Sequence, residues 1–356
     1  MWKRTRSRWT SAGVVAAGLV LAGPVAAGAQ GTETYRLEGR QVAVYNLAGS
    51  VEIVAGSGPD VVARVTTAGN DAGRLNVVAS EVGGRMALRV MYPEQDIVYR
   101  DLGRGSRTTT RVRSDGTFGD RGEDSGRRVR IQGSGGGMEA WADIRLEVPP
   151  GHRVNVYLAV GEADARNLVS DLVIDLGAGR VDASGIQGNL SIDTGSGGVT
   201  VSGVRGDVNV DTGSGSVRID DVTAQEIYVD TGSGSVRGGT LTARYLRVDT
   251  GSGGIELLGV DAPDVYLDTG SGSVELSLLG DVNDLEVDTG SGSVSVSLPE
   301  GLGAEIEVET GSGGIDLDFP VQVRTMKRNH VEGIIGDGRG RIVIDTGSGG
   351  VRLIRR

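Results

Sequence analysis

Seven copies of Asp-Thr-Gly-Ser-Gly begin at Asp193, Asp211, Asp230, Asp249, Asp268, Asp288 and Asp345, and in an eighth Glu309 replaces Asp. A decayed form, Asp-Leu-Gly-Ala-Gly, begins at Asp175. A carboxylate followed by hydroxyls and glycines can do three kinds of chemistry. Two such loops facing each other across a two-fold axis can share one proton, as in an aspartic protease. A stacked column of them sets like charges about 5 Å apart, which a hard cation such as calcium relieves. Each one alone can cap a turn by accepting hydrogen bonds from backbone N–H groups. Repetition argues against catalysis, because a catalytic group needs a unique environment and nothing marks two copies as a dyad. The calcium loops of toxin repeats place Asp after their glycines, whereas here Asp comes first. The sequence therefore predicts that Asp230, Asp249 and Asp268 cap turns. Calcium ligation by the same three residues is the alternative, and calcium is the sole cofactor considered.

The spacing says what must position these residues. Successive motifs from Asp175 to Glu309 are 18, 18, 19, 19, 19, 20 and 21 residues apart, and the last step is 36, about two steps with one motif lost. A period of that size means a solenoid in which each repeat is one coil. Apolar residues alternate before each turn (Leu190 and Ile192, Ile227 and Val229, Val265 and Leu267) and after it (Val199 and Val201, Val274 and Leu276). Period two with β-branched residues is the strand signal. The expected fold is all-β: a parallel β-helix, or β-solenoid, of about 18–21-residue coils with an N-terminal β cap. The turn glycines are expected to supply positive φ. Phe319 to Gly340 breaks the period and reads as a protruding hairpin, after which Arg341 to Leu353 reads as a last coil that closes the stack.

One outward column stands out. Two residues before each motif the chain places Ser191, Asn209, Tyr228, Arg247, Tyr266, Glu286 and Glu307. Tyr228, Arg247 and Tyr266 would stack an Arg between two aromatic rings, a flat platform for a sugar ring or a protein partner. Glu256 and Glu275 match on successive coils and Asp316 lies further on, a pattern a carbohydrate-active β-helix enzyme would need as a local acid cluster. A column of this kind is more often a solvated face. His152 and His330 form no metal-ligand pair at useful spacing, and neither a phosphate loop nor a nucleophile elbow is present.

Composition bounds the rest. Lys3, Arg4, Arg6 and Arg8, an apolar run from Ala12 to Ala27 and Ala27-Gly28-Ala29 read as a signal peptide over residues 1–29. Its loss leaves 32 basic against 47 acidic residues, a charge of −15. Such a chain is a poor partner for nucleic acid or anionic lipid. There is no Cys, so no disulfide and no cysteine lipid anchor. No further stretch is long enough to span a membrane as a helix after signal removal. Residues 30–150 read as the cap and 151–356 as the solenoid. Within the cap, Glu94 to Arg130 holds nine Arg and seven acidic residues. It reads as a flexible or hairpin insertion too polar to bury, or as a partner-binding loop.

The repeated strand-Asp-Thr-Gly-Ser-Gly-strand unit, as in Val265 to Val274, resembles the DUF4097 family of bacterial exported proteins. These are related to adhesin-type head domains called GIN domains. The C-terminal block Phe319-Pro-Val-Gln-Val, Val331-Glu-Gly-Ile-Ile-Gly336 and Ile342 to Gly349 carries the same resemblance. It covers Val154 to Leu353 and implies a β-solenoid at the cell envelope, with no catalytic residues to transfer. The expected protein is exported to the periplasm, cell surface or medium. It is non-enzymatic and adhesin-like, binding an envelope protein or glycan through its lateral faces. The alternatives are the carbohydrate-active enzyme and a calcium-stabilised repeat protein.

Overall fold

The structure is a computed structural model that describes residues 31–119 and 125–356. The expected signal segment lies outside the described residues. Each repeat folds as expected, into a strand, a Gly-rich turn and a second strand. The first strands (Leu190–Thr194, Val208–Thr212, Glu226–Thr231, Tyr245–Thr250, Asp264–Thr269) pair parallel in chain order without a register shift. The second strands (Val199–Arg205, Val217–Thr223, Val236–Thr242, Ile255–Asp261, Val274–Leu278) form a matching parallel stack. The inward residues Leu190, Ile192, Val208, Val210, Ile227, Val229, Val265 and Leu267 lie in one continuous core. Their neighbours Ser191, Asn209, Tyr228 and Tyr266 are half-buried or exposed. Burying a Val, Leu or Ile side chain is worth about 1.5–3 kcal/mol, and every coil contributes several.

The turn glycines differ from expectation. Beyond Gly197 the motif glycines are not in the left-handed region. They are needed because the coils approach so closely: a Cβ on Gly234 would sit 1.8 Å from the Gly215 carbonyl oxygen, and one on Gly272 1.9 Å from that of Gly253. Any side chain there would force adjacent coils apart.

The stack begins earlier in the chain than the repeat suggests. Gln41–Ala55 is the first coil and pairs parallel with Arg153–Leu168, which pairs with Asp171–Ile186. Between the first two coils the chain builds the cap. Val42–Tyr45 continues outward to Met86–Arg89 and then to antiparallel Asn76–Val82. Val51–Ala55 continues to Ile144–Val148, Val61–Ala68 and Thr32–Leu37. The antiparallel strands end both stacks, so the first coil presents no open edge.

The described residues of the Arg-rich segment fold as part of this cap, contrary to the expectation that it is too polar to bury. Arg107–Val112 and Arg127–Gln132 form a hairpin, and Asp96–Val98 and Met138–Glu139 complete a four-stranded sheet. Ile97, Val129 and Ile131 are fully buried, and Phe118 and Met138 nearly so. Alternation explains this: Arg128 and Arg130 face out while Val129 and Ile131 face in. The few apolar residues sit at one parity and pack against the solenoid core.

The C-terminal end departs most from expectation. Gly340–Thr346 pairs on one side with Asp284–Thr289 and on the other with Ala304–Thr310, parallel to both. Val351–Arg355 likewise lies between Val294–Leu298 and Ile315–Leu317. The last coil in sequence is therefore the penultimate coil in space. It does not close the stack. The hairpin Val321–Lys327 with His330–Ile335 does, lying antiparallel on Ala304–Thr310 as a continuation of the sheet. The 36-residue step holds this hairpin in place of a lost repeat.

Candidate functional site

The motif Thr and the motif Asp take opposite sides of the turn. Thr231, Thr250, Thr269, Thr289, Thr310 and Thr346 are completely buried. Each spans two coils. Thr250 Oγ1 accepts from Gly253 N at 3.1 Å and donates to the Gly234 carbonyl one coil back at 2.9 Å. Thr269 repeats this with Gly272 N at 3.0 Å and the Gly253 carbonyl at 2.8 Å. Thr is therefore the turn cap and also a bond between coils. At Thr194, the first copy, Oγ1 is buried without a hydrogen bond. There Gly179 of the decayed motif and Gly197 of Thr194's own turn lie at φ 142° and 134°.

Asp230, Asp249 and Asp268 do not cap turns, which corrects the expectation for them. They stand outward in one register line: Asp211, Asp230, Asp249 and Asp268 are direct strand partners, and Asp288, Asp345 and Glu309 continue the line. Tyr228 OH donates to Asp230 Oδ2 and Tyr266 OH to Asp268 Oδ2, both at 3.2 Å, while Arg247 lies 3.8 Å from Asp249 Oδ2. Partial burial and the adjacent aspartates push the Asp211, Asp249 and Asp288 carboxyls above their usual range, with Arg247 opposing the rise at Asp249. The column is a line of charges. Among the described residues no three His, Asp or Glu come together as metal ligands.

The three residues of the expected platform come together in one line, but Arg247 is not held between two rings. Tyr228, Arg247 and Tyr266 are consecutive across the strands. The Arg247 guanidinium lies 4.5 Å over the Tyr266 ring, a one-sided stack and not a sandwich. Hollows flank it: one of about 350 Å³ runs from Arg153 and Asp207 to Tyr228, the other, about 290 Å³, lies among Tyr245, Tyr266 and Glu286. Tyr245 adds an aromatic that the sequence reading missed. It is 47% exposed and carries Arg244 5.2 Å over its ring. It stands four residues before the motif, so the even offset that singled out Tyr228 and Tyr266 points to it too. The line ends at the cap, where Tyr157 and Tyr45 hold the Asp position in the first coils. Their rings stack at 4.6 Å and Arg85 donates to Tyr45 OH at 2.9 Å.

The acid pattern weighed for an enzyme is a surface ladder. Glu256 pairs across the strands with Glu275 and accepts from Arg237 Nε at 3.1 Å, and Asp316 pairs with Arg352 at 3.3 Å. His152 Nδ1 is bonded to the Pro149 carbonyl oxygen at 2.9 Å, and His330 lies 3.0 Å from Glu332. Among the described residues no helix is long and apolar enough to cross a membrane.

The fold and this face define a parallel β-solenoid held by a buried threonine ladder and carrying a charged, aromatic outer face. The Toastrack DUF4097 family model matches residues 153–353. That is more than half of the chain, and the protein belongs to this family. Two solved structures are similar at low identity. One is provisionally described as a cell adhesion protein, from Clostridium sporogenes: 12% identical, covering 92% of this chain and 100% of that one, TM-score 0.18. The other is provisionally described as a lipid binding protein, from Parabacteroides distasonis: 12% identical, covering 92% and 98%, TM-score 0.42. Neither likeness carries an argument about this chain. No curated protein matches it.

Proposed function

We propose that the chain is an exported, non-enzymatic protein of the cell envelope or surface that binds a glycan or a protein partner through the lateral face of its solenoid. The observation that carries this is the ladder Tyr228, Arg247 and Tyr266 with a hollow on either side. Stacked aromatic and guanidinium groups offer flat, amphipathic area with little entropy to lose on binding, and Tyr and Arg dominate binding hot spots. The non-enzymatic reading rests on the acids Glu256 and Asp316 being taken up in arginine pairs along a surface ladder. Export rests on the basic and apolar N-terminal segment.

A glycan array and a panel of purified envelope proteins, probed with wild type and with Tyr228→Ala, Arg247→Ala and Tyr266→Ala, test the reading. Arg247 is exposed and Tyr228 and Tyr266 are half-buried on the outer face, outside the core, so melting temperature should move little. Binding of the hit should fall about tenfold or more per substitution, the loss of a hot-spot contact. Full binding by the triple variant would sink the lateral-face assignment. For export, the mature N-terminus should lie just after Ala29.

A further inference from the structure

A second recessed surface lies away from the lateral platform, at the N-terminal end of the stack and on its turn edge. The loop after Asp96–Val98 overhangs the turns of the first coils and leaves a cleft of about 920 Å³. That is near the top of the roughly 300–1,000 Å³ of ordinary small-molecule sites. We propose that this cleft binds a neutral oligosaccharide. The site does not depend on the lateral-face reading.

The floor is bare backbone. A Cβ on Gly161 or Gly179 would lie 1.7 Å from the carbonyl oxygen of the glycine one coil back, so no side chain can fill it. The overhanging wall is held from behind. Arg100 donates through Nε and Nη2 to the Glu139 carboxylate at 2.6 and 2.9 Å, and Asn70 Nδ2 donates to the same carboxylate at 2.9 Å. The cleft therefore does not need the ligand in order to form, and a preformed site avoids the ordering cost of a mobile loop.

The lining sets the ligand class. Trp141 and Tyr99 meet edge to face at 5.9 Å at one end and offer apolar surface for the C–H face of a sugar ring. Asp101, Asp143 and Glu162 are acceptors for hydroxyl groups; burial pushes the Tyr99 phenol up, and these three carboxylates add to the rise. Asp143, in the cleft lining, is held in place: its Oδ1 accepts from Ser50 N at 2.9 Å and from Ser50 Oγ at 2.7 Å. Arg107 and Arg180 supply donors, and Arg180 is shared between Glu162 at 3.5 Å and Asp182 at 2.9 Å. Ser106, Thr108 and Ser196 can donate or accept. Three carboxylates against two guanidiniums disfavour phosphate or uronate ligands, and the two arginines disfavour a polycation. A ligand that donates and accepts through many hydroxyls, carries no charge and has an apolar face fits all of these groups.

The chain has three tryptophans, Trp2, Trp9 and Trp141. In the full chain carrying Trp2→Phe and Trp9→Phe, emission therefore reports on the cleft alone. Cellotriose, maltotriose and chitotriose are titrated, with trigalacturonate and spermine as charged comparators. At least one neutral trisaccharide should shift the emission saturably, with a Kd of about 0.1–1 mM, as expected of an open, wet site. Ser196→Phe fills the cleft from an exposed position and should weaken binding about tenfold or more without lowering the melting temperature. Arg180→Ala, also at the surface, should weaken it less. Tyr266→Ala should leave it unchanged. No response at about 10 mM of any neutral trisaccharide, undiminished binding in Ser196→Phe, or binding of the charged comparators alone overturns the assignment. Loss of glycan binding in Tyr266→Ala but not in Ser196→Phe would overturn it too, while leaving the lateral-face reading standing.

Discussion

A coil from the middle of the stack and the last coil of the chain make the same bonds with different neighbours. Thr250 Oγ1 donates to Gly234, the residue one coil back in sequence, at 2.9 Å. Thr346 Oγ1 donates at the same distance to Gly292, 54 residues back, and Thr310 Oγ1 donates to Gly349, which lies ahead of it in the chain. The turn chemistry is thus indifferent to chain order. Any motif can stack on any other, because each presents the same carbonyls, the same hydroxyl and the same Cβ-free glycines. What places the last coil between its neighbours is the hairpin, which carries the chain back over Ala304–Thr310 and delivers Gly340–Thr346 to the inner side of that strand.

The largest effect should therefore come from removing the inserted coil. Ending the chain at Asp337 deletes Ile342, Ile344, Val351 and Leu353, all buried. Each is worth about 1.5–3 kcal/mol, and together they rival the whole stability of an ordinary domain, about 5–15 kcal/mol. The deletion also strips Ala304–Thr310, on which the hairpin lies, of its strand partner on the stack side. Hydrogen exchange should show protection lost from Ala304 to Ile335 and retained from Val217 to Leu278, since in a solenoid each coil depends on its nearest neighbours. Continued protection of the hairpin would mean that it closes directly on Asp284–Thr289, and the inserted coil would then be dispensable.

A middle-sized effect tests whether the two coils really are equivalent. Thr250→Val and Thr346→Val keep shape and remove one hydroxyl that makes two hydrogen bonds. Each leaves a buried carbonyl and a buried N–H short of a partner, at a cost of about 1–3 kcal/mol. Chemical denaturation should give similar losses for both. A loss confined to Thr250 would show that the inserted coil is held by other means.

Much of this was legible from spacing, and the exceptions have physical reasons. The period gave the coils, and the parity of apolar residues gave the core. The same parity also contained the roles of Thr and Asp. Leu267 faces in, Asp268 faces out and Thr269 faces in, so carrying the alternation one residue into the motif assigns the cap to Thr. The insertion of the last coil could not be read, because identical turns carry no information about which coil lies beside which. The Arg-rich segment misled because its buried residues, Ile97, Val129 and Ile131, are few. They are enough when the sheet leans on an existing core and does not have to build one. Tyr228, Arg247 and Tyr266 were legible from their offset. The cleft was not, since Trp141, Asp143 and Glu162 meet the Asp101 loop only through the cap's long excursion between the first two coils.

The smallest effect concerns the outer line, where middle and inserted coils again share one column, from Asp249 to Asp345. If the aspartates capped turns, Asp249→Ala would destabilise the fold. The geometry predicts otherwise. The Asp249 carboxyl is raised by partial burial and by Asp268 and Asp230, against the pull of Arg247. A carboxyl raised in the folded state stabilises the fold fully below its unfolded value of about 3.9, and that contribution is lost as pH rises through the folded value. Wild type should therefore lose stability from pH 4 toward neutral on account of this column. Asp249→Asn should match wild type near pH 3 and equal or slightly exceed it near pH 7. Because the group is largely solvated, the gap should be small and should shrink in high salt. Melting curves across pH, with calcium stripped and then restored, measure all of this. A clear loss of stability in Asp249→Ala at pH 7 without calcium, recovered in Asp249→Asn, would restore the capping role. A large rise in melting temperature at micromolar calcium, absent in Asp249→Asn, would show that the line gathers cations and that its charge is neutralised in use.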